Sequence, residues 1–79
     1  IRESKLLAIY EFTQQDVDTL DPIVVKLPSP IDRYEDLILV SYVGRLEYEK
    51  DYKVASDNQT VTVTITPLVD EIVQFYYYV

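Results

Sequence analysis

The sequence predicts a small all-β domain, an antiparallel β-sandwich of about six strands. Three observations carry that expectation. β-branched and aromatic residues alternate with polar ones in short runs, and no helical spacing of apolar residues is sustained over a useful length. Turn-forming clusters recur every ~8–12 residues, the spacing of a sandwich or small barrel. With 79 residues the chain makes one domain, 1–79. Two three-stranded sheets packed face to face would satisfy all three.

Residues 5–12 read as the first strand, with Leu6, Ala8, Tyr10 and Phe12 on one face and Lys5, Leu7, Ile9 and Glu11 on the other. Residues 13–22 (TQQDVDTLDP) are polar and turn-rich. A short second strand, 23–27, stops at Pro28-Ser29-Pro30, because proline offers no N–H to a ladder. Residues 31–36 form a loop with room for one helical turn.

Residues 37–43 are almost continuously apolar, as suits a central strand covered on both faces. Ile38, Val40 and Tyr42 are the expected core set, with Leu37, Leu39, Ser41 and Val43 opposite. Gly44, the sole glycine, marks a turn that needs a permissive backbone. Residues 47–55 make an arm around Tyr52 and Val54, and 56–59 (SDNQ) a hairpin loop.

Residues 60–66 alternate most cleanly: Val61, Val63 and Ile65 inward, Thr60, Thr62, Thr64 and Thr66 outward. After a turn at 67–70, the last strand spans 71–79. Val73, Phe75, Tyr77 and Val79 face the core, and Ile72, Gln74, Tyr76 and Tyr78 face outward.

Composition narrows the function. There is no Cys and no His, so disulfides, the strongest zinc ligands and Ser-His or Cys-His catalysis are absent. A domain this small buries a thin core and gains stability from partners when it lacks staples. The net charge is −7 with a pI near 4.2. Phosphate backbones are held by Lys and Arg, so nucleic acid is a poor fit. Arg2, Lys5, Lys26, Arg33, Arg45, Lys50 and Lys53 are scattered without a basic stripe, placed to pair with the acidic excess. No apolar run approaches the ~20 residues that span a bilayer. The chain opens at Ile1 and has no Met, so it reads as part of a longer chain or a processed product.

From Leu37 onward a pattern emerges: a hydrophobic strand (LILVSYV) into Gly44, Asp51-Tyr52 with Val54, a polar turn, an alternating strand (TVTVTIT), a turn opening with Pro67, and a final strand rich in aromatics (IVQFYYYV). This resembles the small β modules at the N-terminal, virion-anchoring end of tail fibres of short-tailed bacteriophages. The upstream half is loosely similar: a first strand, a polar loop, and residues 23–28 where the family has a short strand ending in proline. Val43 stands where the family usually has Asn or Asp, and Val69-Asp70 where it often has Gly. The resemblance implies a virion location and a homo-oligomer with three-fold symmetry that binds other virion proteins.

Other residues could carry chemistry. Asp16, Asp18 and Asp21 are spaced like oxygen ligands for calcium, but the Gly and bidentate Glu of an EF-hand are missing, and Asp is an ordinary loop residue. Asp32, Glu35 and Asp36 could pair with Glu47 or Glu49 as glycosidase carboxylates, although a small domain has little room for the required cleft. Asn58-Gln59-Thr60 matches a glycosylation sequon, a pattern easily met by chance. The expectation is no metal, no cofactor and no catalytic residue.

The tyrosines are more informative. Tyr76 and Tyr78 lie outward beside Ile72 and Gln74, and Tyr10, Tyr34, Tyr42 and Tyr48 could extend that patch. The expected interface is therefore Ile72, Gln74, Tyr76 and Tyr78, and the expected function is structural: a phage tail-fibre, tail or head-surface component that assembles with copies of itself and other virion proteins. The alternatives are a carbohydrate- or receptor-binding module for a host-surface glycan, and an inert accessory domain of a larger protein.

Overall fold

A computed structural model describes residues 3–78. Seven strands form two antiparallel sheets, so the all-β sandwich expected from the sequence is present, divided four and three rather than three and three. In chain order the strands are β1 (Ser4–Glu11), β2 (Ile23–Lys26), β3 (Leu37–Ser41), β4 (Gly44–Arg45), β5 (Tyr52–Val54), β6 (Thr60–Val63) and β7 (Ile72–Tyr78). The larger sheet runs β1-β7-β3-β4 and the smaller β2-β6-β5. The chain passes from the larger sheet (β1) to the smaller (β2), back for β3 and β4, across again for β5 and β6, and returns with β7 between β1 and β3.

The core lies between the sheets. Leu37, Leu39, Val73 and Phe75 are buried from one side, and Ile23, Tyr52, Val61 and Val63 from the other. Phe12, Leu27, Ile31 and Leu46, outside the strands, complete the cluster. Among the described residues no polar or charged residue is buried, so hydrophobic burial supplies the cohesion. The inward and outward sets of β7, and of β6 as far as it runs, follow the alternation as read from the sequence, but β6 ends at Val63 rather than at 66; Val79 lies outside the described residues.

Two face assignments differ from expectation. β1 pairs with β7 at Leu6↔Tyr76 and then Ala8↔Phe75, so Leu7 is an extra residue in a β-bulge. Leu6 therefore joins Ile9 and Glu11 outside, while Ala8 and Tyr10 face in, and Leu7 also packs against the core. In β3 the expected core set is reversed. Leu37 and Leu39 are buried opposite Tyr77 and Phe75, whereas Ile38 and Val40 lie outside beside Tyr76 and Gln74. Both faces of β3 are apolar, so its sequence held no preference; pairing with β7 decided it.

The polar stretch 13–22 contains a short helix, α1 (Gln14–Thr19), that apolar periodicity did not reveal. Its signal is a capping box: the Asp16 N–H donates to the Thr13 hydroxyl, and the Thr13 N–H donates to the Asp16 carboxylate. A 3₁₀ turn, Tyr34–Asp36, fills the loop before β3. Tyr42 and Val43 form the turn between β3 and β4, and Gly44 closes it at φ +97°, where a Cβ would be strained. Asp70 adopts φ +68° before β7, a left-handed conformation that Asp tolerates better than most residues and Gly best of all.

Candidate interaction face

The outer surface of the larger sheet gathers the residues expected at an interface. Residues directly opposite in a ladder share a face, so the register defines it. Tyr76 lies between Leu6 and Ile38, and Gln74 between Ile9 and Val40. Ile72 sits opposite Glu11, and Tyr78 opposite Ser4. Arg45 borders Val40 at the far edge. Ile72, Gln74, Tyr76 and Tyr78 thus form the central column of a larger apolar surface. Sequence reading missed its flanks, Leu6, Ile9, Ile38 and Val40. The signal available was the unbroken apolar run of β3, which marks a strand with two greasy faces.

This face is distinct from the core: none of Leu6, Ile9, Ile38, Val40, Ile72 or Tyr76 belongs to the core cluster or packs against it. Leu6 and Ile9 are 44% and 53% exposed, and the residues of the central column are half-buried by their neighbours within the sheet. At standard strand spacing and rise, three full strands make a surface of roughly 14 by 23 Å. A face of that extent is comparable to the largest apolar patches of single domains, ~300–600 Å², which are often functional.

The other tyrosines lie elsewhere and do not extend the patch. Tyr10 faces inward, and its hydroxyl donates to Asp16 Oδ2 at 2.7 Å. Burial, then the Asp16 bond and charge, raise the Tyr10 phenol pKa, while the Thr13 N–H and the Tyr10 hydroxyl lower that of Asp16. Tyr42 donates from the β3–β4 turn to the Thr66 carbonyl. Tyr34 and Tyr48 stack with centroids 4.2 Å apart, and Tyr48 meets Tyr52 edge-on. Tyr52 is buried with its hydroxyl donating to the Leu37 carbonyl; burial raises its pKa and the charge of Arg45 works against that.

That second aromatic group borders an open cleft of about 480 Å³ lined by residues including Glu35, Arg45, Glu47, Tyr48 and Tyr52. Of the carboxylates considered for glycosidase chemistry, Glu35 and Glu47 reach it, whereas Asp32 and Glu49 do not line it. Glu35 is held by Arg33 at 3.0 Å, and Arg33 also approaches Asp36 at 3.9 Å. The calcium-like trio is not assembled: Asp16 caps α1 and Asp18 accepts from Gln14. Among the described residues no group of three His, Cys, Asp or Glu side chains is placed to hold a metal ion. The sequon lies in the β5–β6 loop, where Asp57 accepts from the Gln59 and Thr60 amides and the Thr60 hydroxyl; these bonds lower its pKa.

Among the described residues no helix is long and apolar enough to cross a membrane. Comparison with protein families, curated proteins and solved structures finds no match to the chain.

Proposed function

We propose that this chain is a non-catalytic structural module that works by assembly, and that the outer face of its larger sheet is where neighbours dock. The observation that carries the reading is the double-sided apolar character of β3 and β7. One side fills the core; the other presents Ile38, Val40, Ile72 and Tyr76, with Leu6 and Ile9 on β1, to the outside. Covering these apolar side chains supplies a hydrophobic driving force against the ~4–15 kcal/mol that association costs. Tyrosine suits the task because it buries a large ring and keeps a polar tip.

The resemblance to phage tail-fibre modules supplies the setting: a tail-fibre, tail or head-surface component that binds copies of itself and other virion proteins. The charge of −7 keeps stray copies apart and is screened beyond ~8 Å at physiological salt. Light scattering tests the reading. The wild type should exceed the 9.3 kDa monomer mass, and Tyr76→Glu should lower the assembled mass. A monomeric wild type, or an assembly indifferent to Tyr76→Glu, counts against it.

A second reading, a glycan-binding module, is favoured by the stacked Tyr34–Tyr48 pair beside Glu35, Arg45 and Glu47. Sugars bind through ring stacking combined with polar groups. On that reading, Tyr34→Ala abolishes glycan-array binding and leaves oligomeric mass unchanged.

A further inference from the structure

Four strands stand at sheet edges, and three of them are short. β4 has two residues, β5 three, and β2 four before the chain reaches Pro28. Brevity and proline are standard ways to stop an edge from recruiting another chain. β1 is the longest edge by far, although its Lys5 and its bulge are also edge-blunting features. It has eight residues and no proline, with β7 bonded along one side and no strand along the other among the described residues. Its exposed Leu6 and Ile9 bracket the midpoint on the outer face.

We propose that β1 pairs antiparallel with β1 of a second copy of this chain about a two-fold axis, fusing two four-stranded sheets into one of eight strands. This inference rests on the assembly reading above and names the partner and register of one contact. The bulge selects the register. In a regular strand, positions 6 and 9 would fall on opposite faces; the extra residue at Leu7 puts both outside. Setting Leu6 against Ile9 of the second copy then matches every face. Ser4 meets Glu11 on the outside, while Lys5 meets Tyr10 and Leu7 meets Ala8 on the inside. A slip of one residue breaks the match of faces, and a slip of two can set Leu6 against Glu11.

Charge favours the same arrangement. Lys5 comes opposite Tyr10, whose hydroxyl is bonded to the Asp16 carboxylate, so an ammonium approaches an acidic group twice across the axis. That offsets part of the repulsion between two acidic copies. The row Ile38–Tyr76–Leu6 also continues into Ile9–Gln74–Val40 of the second copy, so the apolar face doubles in width without a break.

The chain lacks cysteine, which makes the register directly readable. Leu6→Cys and Ile9→Cys proteins, mixed and oxidised with diamide, should form the mixed disulfide at least tenfold faster than either forms a disulfide with itself. Directly opposed Cβ atoms lie ~5 Å apart, whereas like positions are offset by about 10 Å along the strand, beyond the reach of a disulfide. As a second measurement, Leu6→Glu alone and Ile9→Lys alone should each weaken dimerisation at least tenfold in sedimentation, and the double variant should regain it. No preference for the mixed disulfide, or no rescue by the double variant, overturns β1 self-pairing. If oligomers nonetheless form and Tyr76→Glu dissolves them, the outer-face reading survives without it. If the mixed disulfide forms and Tyr76→Glu changes nothing, the pairing stands and the outer-face reading falls. A monomeric wild type overturns both.

Discussion

The two sheets of this domain share one core but present opposite outer surfaces. Outside the smaller sheet lie Val24, Thr62 and Lys53 in one row and Lys26 and Thr60 in the next. Outside the larger sheet the corresponding rows are Leu6, Tyr76 and Ile38, and Ile9, Gln74 and Val40. Antiparallel sheets normally hold one face against the core and one in water. The smaller sheet obeys that rule, with Val24 as a lone apolar side chain among hydroxyls and ammonium groups. The larger sheet carries core chemistry on both sides. Since the two sheets belong to one chain of 79 residues, the difference is local to the larger sheet.

Breaking what the sheets share should have the largest effect. Phe75→Ala removes a fully buried ring from β7 and should cost about 3–5 kcal/mol in urea unfolding. That is a large fraction of the ~5–15 kcal/mol typical of a folded domain, so the urea midpoint should fall sharply. The contrast between the outer faces is sharpened by pairing Tyr76→Glu with Thr62→Glu. The Thr62 variant should keep the wild-type mass in light scattering, because Thr62 lies on the polar outer side of the smaller sheet. Equal loss of mass from both variants would erase the distinction drawn between the faces.

The smallest effect lies in the β5–β6 loop of the polar sheet. The Gln59 and Thr60 amides hold the Asp57 pKa below its ordinary value. A carboxylate depressed in the folded state stabilises fully above its unfolded pKa, near 3.9 for Asp. That contribution disappears as pH falls through the lower, folded value. Urea midpoints should therefore fall on the acid side, and Asp57→Asn should flatten that fall, lying below wild type at neutral pH and converging with it in acid. An unchanged acid slope in Asp57→Asn would mean the loop carries no linked proton.

Much of the architecture was legible. β6 and β7 have one apolar and one mixed face, or a clear alternation, so period two identified their inward sets. Pro28 ended β2, and Gly44 marked a turn that requires positive φ. The central column of the candidate face, Ile72, Gln74, Tyr76 and Tyr78, followed from the same alternation. Its flanks did not. β3 is apolar at every position from Leu37 to Val40, so alternation could not say which half faces in. In β1 the phase changes in mid-strand, and nothing in SKLLAIYE announces a bulge. The expected spread of Tyr10, Tyr34, Tyr42 and Tyr48 onto the patch failed for a related reason. Those tyrosines sit on β1's inner face or in loops, where chain path rather than strand period sets direction.

By itself the sequence determined the all-β class, the positions of its turns and the orientation of the strands whose two faces differ chemically, because period two converts composition directly into sidedness. Only the tertiary structure decided the orientation of β3, the bulge at Leu7 and the four-plus-three division. Each depends on which strand lies alongside, a long-range choice made when β7 returned between β1 and β3. That choice turned scattered apolar residues from three separate strands into one continuous surface.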